Sequence, residues 1–197
     1  MDALEALRTR SSAAALGEPA PSEDQLASIL TAATSAPDHG LMRPWRFIVV
    51  RGDARARLGD VMADAARGRA GEVSEEFLAR ERVKPLRAPV VIVVAAKPRE
   101  RRGVPEVEQL VAAGAAGEHI MLAAHAMGLG AFWRTGEAAY DAEIKAALGL
   151  DPADAITGFL YLGTPRSPAA APQARPRPES LAFEWSGPGE LTPVRIG

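Results

Sequence analysis

The run Pro89-Val90-Val91-Ile92-Val93-Val94-Ala95-Ala96 carries no polar side chain, with one proline at its head and another just beyond its end. A short continuous apolar run bounded in this way predicts a strand buried on both faces. Three more runs have strand character: Trp45 to Arg51, Leu129 to Trp133 and Ala155 to Leu162. Between them the apolar positions recur at helical spacing. Leu26, Ile29, Leu30 and Ala33 keep a period of about 3.6 residues. Ser22 with Gln25 forms a capping box that opens this helix, which runs to about Ser35. A short helix is read over Asp2 to Arg8, with Leu4 and Leu7 on one face. Two charged helical segments, about 54–70 and 74–86, meet at Gly68 to Gly71, a junction readable as a flexible lid or as a plain surface helix pair. A long helix is predicted from about Pro105 to Met127, and a shorter one from about Tyr140 to Leu148.

Strands alternating with helices predict a layered α+β or α/β domain, with helices covering both faces of the sheet. The centre of the long helix, Ala112-Ala113-Gly114-Ala115-Ala116-Gly117, is unusually small. Such a surface admits another helix closely, within the domain or across a dimer. Residues 166–197 are rich in proline and read as an extended arm of the same domain, with Phe183 and Trp185 as docking points.

One loop stands out for chemistry. Ala36-Pro37-Asp38-His39-Gly40-Leu41-Met42-Arg43-Pro44-Trp45 joins the second helix to the first strand, stiffened by two prolines around a glycine that can take positive φ. Binding groups are often carried on rigid loops of this kind.

Composition narrows the function classes. The formal net charge of −2 argues against nucleic acid or an anionic membrane as the main partner. With no Cys, disulfides, thiolate nucleophiles and Cys-ligated metals are excluded. The N-terminus lacks signal-peptide character, and the longest uncharged run, His119 to Trp133, is too short to span a bilayer. A soluble, cytoplasmic protein is expected. Of 23 basic residues only 3 are Lys, and Asn is missing, so any single Arg is weaker evidence for anion binding than usual. P-loop and G-x-S-x-G motifs are absent. Gly128-Leu129-Gly130 begins like a dinucleotide fingerprint, but Trp133 stands where its third Gly belongs. His119 and His125 lie roughly 240° apart around one helix and cannot share a metal. An enzyme built from this chain takes its reactivity from a cofactor.

Three stretches together carry a resemblance: Met1 to Leu7 followed by Thr9-Arg10-Ser11-Ser12; Ala36 to Trp45; and Gly130-Ala131-Phe132-Trp133-Arg134-Thr135-Gly136 with Gly158 to Pro165. In order and spacing they resemble the FMN-dependent nitroreductase superfamily, specifically its short, YdjA-like branch of candidate NAD(P)H nitroreductases. The resemblance implies an α+β fold in α/β/α layers, with a central mixed sheet flanked by helices. It implies a domain-swapped type of homodimer with an extended C-terminal arm. Residues 1–165 form the nitroreductase-like domain, and 166–197 form the arm. FMN is implied at the subunit interface, with Arg10, Ser11 and Ser12 at its phosphate. Pro37, Asp38 and His39 come from the other chain, Trp133, Arg134 and Thr135 line the other side of the ring with backbone groups reading its edge, and Arg43 or Arg134 stands in there for the missing cations.

The implied reaction is ping-pong hydride transfer from NAD(P)H through flavin N5 to a small electron-poor acceptor, such as a nitroaromatic or a quinone. No side chain is required as a nucleophile. The chain departs from the branch pattern at Ser11, Ala15 and Ser35, where basic residues are usual, and at Arg43, where Gln precedes Pro-Trp. Two alternatives follow: a flavin-fold dimer that has lost redox activity and serves as a binding or regulatory module, or a member with different flavin chemistry, such as flavin fragmentation or dehalogenation.

Overall fold

The computed structural model describes residues 1–167 and 175–195. Its helices are α1 (Ala3–Thr9), α2 (Glu23–Ala33), α3 (Ala54–Ala70), α4 (Glu75–Arg82), α5 (Glu106–Ala126) and α6 (Ala142–Ala147). Its strands are β1 (Leu16–Gly17), β2 (Trp45–Arg51), β3 (Val90–Ala96), β4 (Gly130–Arg134), β5 (Ala155–Pro165), β6 (Phe183–Gly187) and β7 (Glu190–Pro193). The expected capping box is present: Gln25 N donates to Ser22 Oγ (3.2 Å) and Ser22 N to Gln25 Oε1 (2.9 Å).

Strand order in the main sheet is β1-β5-β3-β2, with β4 also pairing with β5. β3 is central and wholly buried. Its side chains alternate as the pleat requires. Val90, Ile92 and Val94 pack with Ile29 of α2 and Ile120 of α5. Val91, Val93 and Ala95 pack with Met62 of α3 and Ile144 of α6 on the other face. Each large aliphatic side chain buried this way stabilises the fold by about 1.5–3 kcal/mol. The result is the layered α+β arrangement expected.

Several details differ from the sequence reading. Within the chain the sheet is not mixed: every pairing among the described residues is antiparallel. Two helical passes, α3 out and α4 back, return the chain to the end where β2 stops, so β3 must run against it. β5 continues past Leu162 to Pro165, because Thr164 and Pro165 pair with the unforeseen two-residue β1. The second charged segment stops at Arg82, followed by a 3₁₀ turn, Lys84–Arg87, that contains Pro85. The expected helix from about Tyr140 to Leu148 is found as α6, with an unforeseen 3₁₀ turn, Glu137–Ala139, before it. The C-terminal segment is not simply extended, since β6 and β7 form a hairpin. Phe183 and Trp185 are 52% and 69% exposed, so neither docks on its own chain. No helix among the described residues is long and apolar enough to cross a membrane.

Candidate functional site

Arg10 caps the C-terminal end of α1, its amide donating to Ala6 O (2.9 Å). Its side chain reaches α5, where Nε lies 3.3 Å from Glu118 Oε1. Nη1 is buried and has no hydrogen-bond partner among the described residues. A buried guanidinium N–H left unpaired is costly, so it marks a place where an acceptor is wanted. The following backbone is clipped to the sheet by Ala13 N donating to Ala131 O (2.9 Å). Ser11 and Ser12, with His125 and Gly130, line a small pocket of about 160 Å³. Thr9 Oγ1 and His125 Nε2, 2.8 Å apart, tie the end of α1 to α5 beside it.

β4 passes next to this segment. The Trp133 indole packs between α5 and β5, at glycines on both. A Cβ added at Gly117 would fall 2.7 Å from the ring, and one at Gly158 only 2.1 Å from Nε1. Nε1 donates to Thr157 O (3.1 Å). Arg134 projects to the opposite face of the sheet, its guanidinium 4.0 Å from the centre of the Phe132 ring. Trp133 and Arg134 therefore share a backbone edge but not a side-chain environment. Arg10 and Trp133 meet consecutive α5 residues, Glu118 and Gly117.

The Ala36–Trp45 loop is as stiff as its prolines predict. It contains a 3₁₀ turn, His39–Leu41, with Gly40 at φ 69°. Leu41 (φ 54°) and Arg43 (φ 47°) also take left-handed backbone, which costs non-glycine residues on the order of 1–3 kcal/mol. Three interactions hold them there. Arg43 N donates to Asp38 Oδ2 (2.7 Å), Arg99 donates to Met42 O, and Arg101 donates to Gly40 O. Asp38 Oδ1 is buried without a partner among the described residues. His39 Nδ1 pairs with Glu108 in the first turn of α5. The Arg43 and His39 side chains are exposed, as is Pro37.

Arg99 and Arg101 were not singled out from the sequence. The available signal was a run of arginines between Pro98 and Pro105, which reads equally as a solvated loop.

The structure thus sets Arg10 and Trp133 against neighbouring residues of α5 and places Ser11 and Ser12 at one pocket and Arg134 and Thr135 at another, while Pro37, Asp38, His39 and Arg43 sit apart from both. His39 is bonded at Glu108 and Arg10 at Glu118. Ten residues of helix between those anchors rise about 15 Å. The α5 surface between them carries Val107 and Val111, 61% and 67% exposed, and Gly114, where an added Cβ would meet nothing. No group of His, Asp and Glu capable of holding a metal occurs among the described residues.

Comparison with known proteins places this geometry. The model of the Nitroreductase family matches residues 7–164. YdjA of Escherichia coli K12, named as a candidate NAD(P)H nitroreductase, is 42% identical over 170 residues, covering 86% of this chain and 92% of that protein. A nitroreductase-like family protein from Bacillus cereus superposes with a TM-score of 0.79 at 25% identity, covering 95% and 97% of the two chains. A Desulfovibrio desulfuricans protein solved in complex with FMN superposes with a TM-score of 0.70 at 29% identity, covering 94% and 97%. The chain belongs to the nitroreductase family.

Proposed function

We propose that the chain is an FMN-dependent NAD(P)H oxidoreductase that passes hydride to a small electron-poor acceptor, such as a nitroaromatic or a quinone, in the cytoplasm. The observation that carries this reading is Arg10 Nη1, buried and without a partner among the described residues, directly before Ser11 and Ser12, which line a small pocket. A phosphate oxygen satisfies it with a charge-assisted hydrogen bond, while Nε keeps Glu118. The donor set fits the phosphate of FMN: one guanidinium N–H, two hydroxyls and the backbone amides of an extended segment. The backbone of residues 133–135 offers groups to the ring edge. When bound, FMN supplies hydride transfer at N5, the chemistry that no side chain here provides.

The remaining predicted residues act in a homodimer. A second copy laid antiparallel along α5 brings its own Pro37, Asp38 and His39 to the Arg10–Trp133 end. The exposed Val107 and Val111, the open Gly114, and Met1, Leu4 and Leu7 of α1 (63%, 66% and 48% exposed) support such a contact. Each Asp38 then enters the site with an unpaired carboxylate oxygen. Of the arm, residues 166–197, the described part from 175 to 195 reaches the other subunit, where Phe183 and Trp185 dock; 168–174 and 196–197 lie outside the described residues. Arg175 Nη2, which donates to Arg10 O (2.8 Å), fixes the root of the arm beside the phosphate pocket. Basic residues absent at Ser11, Ala15 and Ser35 leave Arg10 as the main cation there.

A visible spectrum of the purified protein, FMN titration, and anaerobic addition of NADPH or NADH test the reading. A flavin spectrum that bleaches with either nucleotide is expected. A protein that neither carries nor binds FMN sinks it in favour of the redox-inactive dimer.

A further inference from the structure

The chain leaves β4 through Thr135, Gly136 and the 3₁₀ turn Glu137–Ala139 before α6 begins. Gly136 takes φ 68° and ψ −172°, backbone open essentially to glycine alone, while a Cβ there would meet nothing. Glycine is needed at this corner for its conformation and not for space. The far side of the turn is fixed, because Ala138 and Ala139 are buried in the core cluster of Met62 and Ile144. The near side, Thr135 to Glu137, is exposed, and its amides donate to no described residue.

One side chain from another element spans the turn. Arg69, in the last turn of α3, donates through Nη1 to Asp141 Oδ2, and its Nε lies 3.7 Å from Glu137 Oε2. The two carboxylates are not equivalent. The Asp141 side chain is 6% exposed, and Oδ1 accepts from the amides of Glu143 and Ile144, so it cannot move without α6. Glu137 is 83% exposed and pairs with no other described cation. Asp141 therefore fixes the guanidinium, and the guanidinium steers Glu137. A planar fork can serve two carboxylates in this way, whereas a lysine ammonium has no such rigid geometry.

We propose, on the FMN reading above, that Arg69 is a positioning residue for the cofactor: it draws Glu137 back toward Asp141 and holds the 135–137 backbone at the ring edge. Reduction places negative charge on the flavin, and a loose carboxylate beside the ring would oppose it. Arg69 never touches the ring. It acts through Glu137.

Spectroelectrochemical titration of the FMN-loaded protein tests this, together with amide exchange of the FMN-free protein. Arg69→Ala is expected to lower the midpoint potential, favouring oxidised flavin by roughly threefold or more, about 15 mV for a two-electron couple. Arg69→Lys should recover only part of that shift. Glu137→Gln should raise the potential more in either Arg69 background than alone, because only there is the carboxylate loose. In the FMN-free protein, Arg69→Ala should speed exchange at 135–137 while the Ile144 amide, held by Asp141, stays slow. A potential unmoved by Arg69→Ala, effects at the two sites that merely add, full recovery by lysine, or unchanged exchange at 135–137 each overturns the proposal. A protein that takes up no FMN overturns the functional reading and this proposal with it, whereas a flavin-loaded protein indifferent to Arg69 overturns the proposal alone.

Discussion

Gly158→Ala is the sharpest perturbation the geometry offers. The new methyl would lie 2.1 Å from Trp133 Nε1, against an ordinary heavy-atom contact of about 3.5 Å. The indole must therefore move by more than an ångström. It cannot swing toward α5, because Gly117 already lacks room for a Cβ beside the same ring. The movement breaks the 3.1 Å bond from Nε1 to Thr157 O and is passed to the β4 backbone. Overpacking of this kind costs about 1–3 kcal/mol, and the lost hydrogen bond about 1 more. Replacing a strand glycine by alanine returns about 0.5–1 kcal/mol. The net is a loss of about 2 kcal/mol. Urea denaturation followed by circular dichroism measures it, and near-ultraviolet circular dichroism reports the indole's setting. FMN titration adds a functional readout, since residues 133–135 move with the strand. An unchanged urea midpoint with an unchanged near-ultraviolet spectrum would show that the ring is not clamped, and the account of β4 would fail.

Asp141 caps α6, accepting from Glu143 N (2.8 Å) and Ile144 N (3.0 Å), and pairs with Arg69. Burial pushes this carboxyl up, but the Ile144 amide, the Arg69 guanidinium and the Glu143 amide together hold it below its ordinary 3.8. A depressed native value stabilises the fold above the unfolded value, and that contribution is lost as pH falls through the native one. Asp141→Asn, which keeps the cap, should cost about 1 kcal/mol at neutral pH. Melting curves against wild type should converge below the ordinary carboxylate range, and a constant gap would refute the charge argument. Arg99→Ala should free Met42 O and speed amide exchange across residues 38–43, with global stability falling by about 1 kcal/mol; exchange that stays slow would show that Asp38 and Arg101 suffice to hold the loop. Gly114→Ala should raise the stability of an isolated subunit by about 1 kcal/mol through helix propensity. The same change should weaken a dimer packed at that position, read by sedimentation at two concentrations.

The core strands and the helices on both sheet faces were legible because their determinants are local and periodic. β3 announced itself as an unbroken apolar run, and α2 by its capping box and helical period. What failed to show was set by distant partners. Leu16–Gly17 became a strand only because Thr164 and Pro165 lie opposite, and no local pattern marks a two-residue pairing. Pro85 lies within the turn that follows the second charged helix, but the charge pattern runs on past it. In the site, Arg10, Ser11, Ser12 and Trp133 to Thr135 were named by resemblance alone; the fold sets Arg10 and Trp133 on adjacent residues of α5 and clips the backbone after Ser12 to β4 at Ala131. Arg99 and Arg101 were missed because they act through backbone carbonyls more than fifty residues earlier in the chain, and in an arginine-rich chain another arginine says little.

The position of the Asp38 loop follows from α5 rather than from the loop itself. One helix carries both anchors, Glu108 for His39 and Glu118 for Arg10, about three turns apart. A helix is rigid over that span, so no local rearrangement within a subunit can close the gap. In the proposed homodimer, a two-fold axis crossing α5 between the anchors would close it twice, because it would exchange the two ends. Val111 and Gly114 lie between them, the first exposed and the second with open space beyond its Cα. In that dimer the small-residue run in α5 would have two duties on two faces. Gly117 admits the Trp133 ring inside the subunit, and Gly114 faces outward where a second α5 can approach. The sequence reading posed those as alternatives, whereas the helix's geometry lets both hold.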